Sequence, residues 1–220
     1  MNLTVSTQSI AFYQKIKIWC EQNKAEAITQ YPVPLLGEGG TCSLFGELEK
    51  TPFQLESVLT KQQLKMLPQF QSIANWVKEH IQVDWFGIYL LNSDNNSSTL
   101  TKLSYFGAPS RAQFPVNEQF AQLSNNVSVA LTGESRVINN VKSYVASGGE
   151  YYTCDPRVQS ELCYPIISYK ICNSEQQQGK ILGIIDAECF STECFDETKL
   201  AQFGAVCTLL ADIIENSDNL

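Results

Sequence analysis

The chain holds a single histidine, His80, in 220 residues. Any Ser-His-Asp or Cys-His pair would have to use it, and one imidazole cannot complete the common zinc sets. Cysteines 154, 163, 172, 189, 194 and 207 include no Cys-x2-Cys pair, so neither a metal nor another cofactor is expected. Basic blocks are missing too. Fifteen Lys and Arg stand against 23 Asp and Glu, for a net charge of −8, and no basic stripe offers itself to a phosphate backbone. Nucleic acid is therefore not an expected partner. No run approaches the roughly 20 apolar residues that span a bilayer, which argues against a membrane. The opening Met-Asn-Leu-Thr-Val-Ser-Thr has neither a basic start nor an apolar stretch. It reads as no signal peptide, and hence as a reducing, cytoplasmic setting with mostly free thiols. The glycine run at 37–40 lacks the Gly-Lys-Ser/Thr of a phosphate loop.

What is present is ample for one core, at 44% hydrophobic residues, with an extension to spare. Residues 1–60 read as that extension, with a helix near 11–28 spaced by Phe12, Ile16 and Trp19, then breakers at Tyr31-Pro-Val-Pro. Residues 61–216 read as the main domain. Leu64, Leu67, Phe70, Ile73, Trp76 and Val77 predict a helix over 61–80, with Pro68 inside it and exposed His80 at its end. Strands are expected at 83–91 and 100–106, then an irregular crossing segment at 108–121. A short helix at 120–131 should end at Gly133, followed by a strand at 136–138 and a loop with one helical turn. Strands at 161–171 and 180–190 and a helix at 195–214 complete the chain. The order helix, hairpin, crossing segment, hairpin, helix predicts an α+β fold. An antiparallel sheet would carry helices on one face and a loop-walled pocket on the other.

The chemistry-bearing residues gather late. Cys154-Asp155 leads to Ser160-Glu161-Leu162-Cys163, and the apolar run Ile184-Ile185-Asp186-Ala187-Glu188 carries two acids. Burying such acids costs several kcal/mol or so unless a partner or ligand meets them. That points to a pocket for a small polar molecule bearing an amine. Residues two or four apart on a strand share a face. Trp85 shares one with Tyr89, Asp186 with Glu188, and Glu161 with Cys163, while Cys189 points away from the acids.

These segments resemble the GAF domain, and within it the free methionine-(R)-sulfoxide reductase family. The resemblance rests on Asp84 to Leu91, on Tyr105-Phe106-Gly107 with Pro109 and Pro115, on Cys154-Asp155 through Ser160-Glu161 to Pro165, and on Gly179 to Asp186. It implies reduction of free, not protein-bound, methionine sulfoxide. Cys154 would be the nucleophile, Trp85 and Tyr89 an aromatic wall, and Glu161, Asp186 and Glu188 the substrate acids, with Glu188 where the family has Asp. A thioredoxin-like reductant would reset the cysteine, and a homodimer is compatible with the fold.

The chain departs from the family in its crossing segment. Arg111 stands where a cysteine is usual, and no cysteine lies between Cys42 and Cys154. Cys163, Cys42 or a small external thiol could take over the resolving role, with Cys163 favoured by its face. The bland readings are kept alongside. Cys172, Cys189, Cys194 and Cys207 read as small core residues, Trp85 and Tyr89 as core aromatics, Arg111 as a loop charge. The competing function is a GAF pocket that binds a small amine without turning it over.

Overall fold

The computed structural model describes residues 7–37, 43–94, 97–151, 155–168 and 179–217. Cys42, Cys154 and Cys172 lie outside them. The first helix, α1 (Thr7–Gln22), starts and stops earlier than its apolar spacing predicted. The Asn23 side chain donates to the Trp19 carbonyl at 2.9 Å, and the Ala25 amide to Ser72 Oγ at 2.9 Å, which turns the chain aside. Ile16 is fully buried, and the Tyr13 hydroxyl donates to Asp212 at 2.6 Å, so this segment packs onto the body of the protein. Short strands follow: β1 (Gln30–Tyr31), β2 (Pro34–Leu36), β3 (Ser43–Leu48) and β4 (Phe53–Gln54), which pair as β1 with β4 and β2 with β3.

Helix α2 (Lys61–His80) opens on a reciprocal cap. Thr60 Oγ1 accepts from the Gln63 amide, and Gln63 Oε1 accepts from the Thr60 amide. Pro68 sits inside the helix without ending it. His80 is exposed and stacks on Trp76, with Trp19 of α1 edge-on.

The sheet comprises β5 (Trp85–Ser93), β6 (Ser98–Phe106), β7 (Gln113–Pro115), β8 (Arg136–Ile138), β9 (Ser160–Ser168) and β10 (Lys180–Cys189). Six strands run in the order β7-β6-β5-β10-β9-β8, every neighbour antiparallel. The crossing segment is thus less irregular than expected, because residues 113–115 pair with β6. The single helix expected at 120–131 is two: α3 (Glu118–Ala121) and α4 (Asn125–Thr132). Asn117 and Ser124 each cap a new start, and Ser124 has extended backbone (φ −134°, ψ 119°) that no continuous helix contains. Gly133 closes α4 at φ 71°, a conformation glycine adopts without a Cβ penalty. The expected single turn after β8 is α5 (Val141–Ala146). Helix α6 (Glu197–Glu215) is capped by Asp196.

Alternation along the strands separates two cores. Phe86, Ile88, Leu90, Leu162, Tyr164, Ile185, Ala187 and Cys189 face α1, α2 and α6 in one. Trp85, Tyr89, Cys163 and Ile184 join Leu100, Phe114, Val127 and Val129 in the other, under α3 and α4. The layout is the α+β arrangement the element order predicted.

One expectation about the thiols is corrected. Cys189 is buried as foreseen, but it is bonded to Cys194, with the two Cα atoms 6.4 Å apart. The strand end and the following turn bring together two cysteines that read separately as packing residues. Among the described residues, Cys20, Cys163 and Cys207 are free.

Candidate functional site

Three neighbouring strands carry the site. Across β9 and β10, Glu161 lies opposite Glu188 and Cys163 opposite Asp186; across β10 and β5, Glu188 lies opposite Trp85 and Asp186 opposite Gly87. The acids therefore converge through register. Together with Trp85 and Tyr89 they line a cavity of about 230 Å³ on the α4 side of the sheet. All five expected binding residues are wall residues of this one cavity.

The aromatic side is built by an absence. Gly87 has no Cβ, and one placed there would collide with the Trp85 ring. The indole therefore lies across the strand, with Nε1 donating to the Ala108 carbonyl at 2.9 Å. Tyr89 is buried and hydrogen-bonded to Ser110.

The acid side is crowded, with Glu161 and Asp186 buried and Glu188 half-buried. Burial raises the Asp186 pKa well above the ordinary range, and Glu161 raises it further. Glu188 is raised in the same direction by burial, then by Asp186 and Glu161. Glu161 is also raised by burial, though hydrogen bonds from Tyr151 and Asn125 oppose the shift. Asn125 relays a charge here. Its Nδ2 donates to Glu161 Oε1 at 2.9 Å, and its Oδ1 accepts from Arg136 at 2.6 Å. Asn126 Nδ2 donates to Asp186 Oδ2 at 3.0 Å. The other two oxygens of that pair, Asn126 Oδ1 and Asp186 Oδ1, are buried and accept nothing. Two orphaned acceptors on one hydrogen-bonded pair call for a donor-rich group, and an ammonium is one.

Sequence reading missed several participants. Lys102 on β6 is fully buried and pairs in register with Tyr89. Its Nζ donates to Ser110 O at 2.8 Å and Ser110 Oγ at 2.6 Å. The Tyr105 ring centroid is 3.9 Å away, Tyr31 4.9 Å and Trp85 5.8 Å. Burial drives its pKa well below that of a free lysine, while Glu188 and Asp186 pull the other way. The signal was a lysine inside a strand of the acid-bearing sheet. Tyr31 donates its hydroxyl to the Lys102 carbonyl at 2.6 Å, and Pro34 lines the cavity, so the N-terminal segment is part of the wall. Tyr151, Asn125 and Asn126 also line it, as does Arg111, whose guanidinium lies over Phe114 and Phe120.

The cysteines are less fully placed. Cys154 is outside the described residues, but its neighbour Asp155 lines the cavity and is held by Arg157 Nη2 at 2.7 Å. Cys163 is on the cavity side of β9, packed with Trp85 and Tyr89, but it is fully buried and not a wall residue. Burial, then Asp186 and Glu161, push its thiol pKa well up. Among the described residues, no group of three His, Cys, Asp or Glu side chains could hold a metal. None of the described helices is long and apolar enough to cross a membrane.

An antiparallel sheet with an acid-floored cavity under short helices is the layout of a GAF-type domain. The chain belongs to the GAF domain family, which matches residues 66–214. It is similar to the free methionine-R-sulfoxide reductase of Saccharomyces cerevisiae, 28% identical over 118 residues, 53% of this chain and 54% of that protein. The chain thus spans about half the length of that curated relative. Among solved structures it shares the fold of a free methionine-R-sulfoxide reductase from Neisseria meningitidis in complex with its substrate, at TM-score 0.52 and 21% identity, covering 74% of this chain and 95% of that one. It also shares the fold of the GAF domain of an Acinetobacter phosphoenolpyruvate-protein phosphotransferase, at TM-score 0.55 and 13% identity, with 97% of both chains covered.

Proposed function

We propose that the cavity binds free methionine sulfoxide and that Cys154 reduces it to methionine. The observation that carries this reading is the pair of orphaned oxygens, Asn126 Oδ1 and Asp186 Oδ1, beside three converging carboxyls. They supply the acceptors a free α-ammonium requires, and a peptide-bound methionine has no such group. The Trp85 face would take the thioether chain, and Arg111, on the wall of the same cavity, would meet the α-carboxylate. The match to the yeast reductase supports the same substrate class.

In this reading the Cys154 thiolate attacks the sulfoxide sulfur. A carboxyl kept protonated by its neighbours gives its proton to the sulfoxide oxygen. The raised pKa of Glu188 suits that donor role, leaving Asp186 to accept from the ammonium. The sulfur–oxygen bond of the substrate breaks, methionine leaves, and Cys154 is left as a sulfenic acid. A second thiol condenses with it, forming a disulfide and releasing water. Cys163 has the correct face for that step, but burial holds it as the thiol, a weak nucleophile. A thioredoxin-like dithiol from solution would supply the reducing electrons.

The second reading is binding without turnover, favoured by Arg111 at the position where reductases of this kind usually carry a cysteine. A single-turnover assay separates the two. Pre-reduced protein is mixed with free methionine-(R)-sulfoxide and no added reductant. About one methionine per chain, lost in Cys154→Ser, is the expected result. No methionine, with ligand binding still visible as a change in tryptophan fluorescence, would leave only the binding module. Mass spectrometry of the product shows whether Cys163 has closed a disulfide.

A further inference from the structure

The bonded pair at the end of β10 lies on the helix face of the sheet, away from the acid cavity. We propose that Cys189 and Cys194 form a thiol–disulfide exchange site for an external dithiol, with Cys194 the attacked sulfur and Lys199 the cation that stabilises its thiolate.

Four observations converge on this assignment. The two sulfurs differ in access: Cys189 is 1% exposed, whereas Cys194 is half-buried in a surface turn. An open groove of about 430 Å³ runs past them, walled by Gln82, Asp84, Glu193, Asp196 and Lys199. Lys199 Nζ stands 3.3 Å from Cys194 Sγ and donates to the Gln82 carbonyl at 3.0 Å. A disulfide sulfur is a poor acceptor for an ammonium and a thiolate a good one, so the lysine stands where charge appears only on reduction. The Gln82 carbonyl lies 3.6 Å from Cys194 Sγ and 3.9 Å from Cys189 Sγ, within reach of an S–H on either once the bond opens. Finally, the bond closes a loop only five residues apart in sequence. Short loops remove less entropy from the unfolded chain than long ones, so this bond is a weaker structural clamp than a long-range one. The turn itself carries Glu193 at φ 55°, an uncommon conformation for a residue with a Cβ.

The exchange balances in two displacements. A thiolate of the incoming dithiol attacks Cys194 Sγ, the Cys189–Cys194 bond breaks, and Cys189 leaves and takes a proton. The second thiolate of the dithiol then attacks its own sulfur in the mixed disulfide. Cys194 leaves as a thiolate beside Lys199, and the dithiol departs as a cyclic or intramolecular disulfide, oxidised by two electrons.

The test uses the full chain and dithiothreitol as the dithiol. Folded protein is exposed to dithiothreitol, quenched with iodoacetamide and mapped by mass spectrometry. Opening at Cys189 and Cys194 is expected while buried Cys163 and Cys207 stay unlabelled. The pH dependence of Cys194 alkylation is then compared in reduced wild type, Lys199→Gln and Lys199→Arg. Removing the cation should move the half-alkylation pH up by about one unit, an about tenfold loss of thiolate at pH 7, and the arginine variant should restore most of it. A pair that opens only after urea overturns the proposal. So does a Cys194 that alkylates like a free cysteine in both wild type and Lys199→Gln. Because Lys199 is half-buried at the surface, its replacement does not threaten the fold.

Discussion

Asp186→Asn should stabilise the ligand-free protein while weakening its ligand binding. Asp186 is buried, with one oxygen taken by Asn126 and the other unpartnered, in a site where burial and Glu161 both oppose its charge. The asparagine variant keeps an oxygen for Asn126 Nδ2 and places an N–H where Oδ1 stood. The change also removes the negative charge that burial and Glu161 oppose, and with it one unpaired buried oxygen. An unsatisfied buried polar group costs about 1–3 kcal/mol. For a chain of this size each kcal/mol moves Tm by about 2–4 °C, so a rise of roughly 2–12 °C is expected at pH 7. The sign of the pH dependence follows from the raised carboxyl. The native Asp186 binds its proton more tightly than the unfolded chain does, so its penalty is absent below the unfolded carboxyl pKa and grows as pH rises toward the raised native one. The gap between variant and wild type should therefore shrink on going from pH 7 toward pH 4. Methionine sulfoxide titrated calorimetrically should bind at least about tenfold more weakly, since a charge-assisted bond of about 1.5–3 kcal/mol is lost. A variant that melts lower than wild type, or binds as well, would refute the account of this site.

Two further substitutions probe its walls. Lys102→Met removes an ammonium whose pKa is well depressed, a penalty that is full at low pH and fades as pH rises toward the unfolded lysine value. The Tm of the variant relative to wild type should accordingly be more favourable at pH 6 than at pH 9, and a pH-independent difference would count against a buried charge. Gly87→Ala places a methyl against the Trp85 ring, which must swing from its hydrogen bond with Ala108. Overpacking of this kind costs about 1–3 kcal/mol, and a shifted tryptophan emission with weaker ligand binding should accompany the lower Tm.

Long apolar runs bounded by polar turns were enough to place β5, β9 and β10, which are buried on both faces, and a 3.6-residue period was enough to place α2 and α6. Alternation along the strands put Trp85 with Tyr89 and Asp186 with Glu188, and the cavity wall holds all four. Acids set within apolar runs are a local anomaly, so the cavity they line was legible in the sequence. Shorter elements were not. The break at Ser124 between α3 and α4 hangs on one capping hydroxyl, a signal that also occurs inside helices.

What only the tertiary structure decided is who meets the acids from elsewhere in the chain. Asn126 lies 60 residues from Asp186, and Tyr31 lies 71 from the Lys102 carbonyl it caps. No periodicity encodes such pairs, because they depend on how sheet, helix and extension stack. Cys189 and Cys194 read as packing residues for the same reason: their chemistry is set by the turn that joins them and by Lys199 across it. Local sequence determined which faces are apolar and which strands carry acid, since burial is a property of each residue and its period. The partners of those acids and thiols are properties of distance in space, which only the folded chain defines.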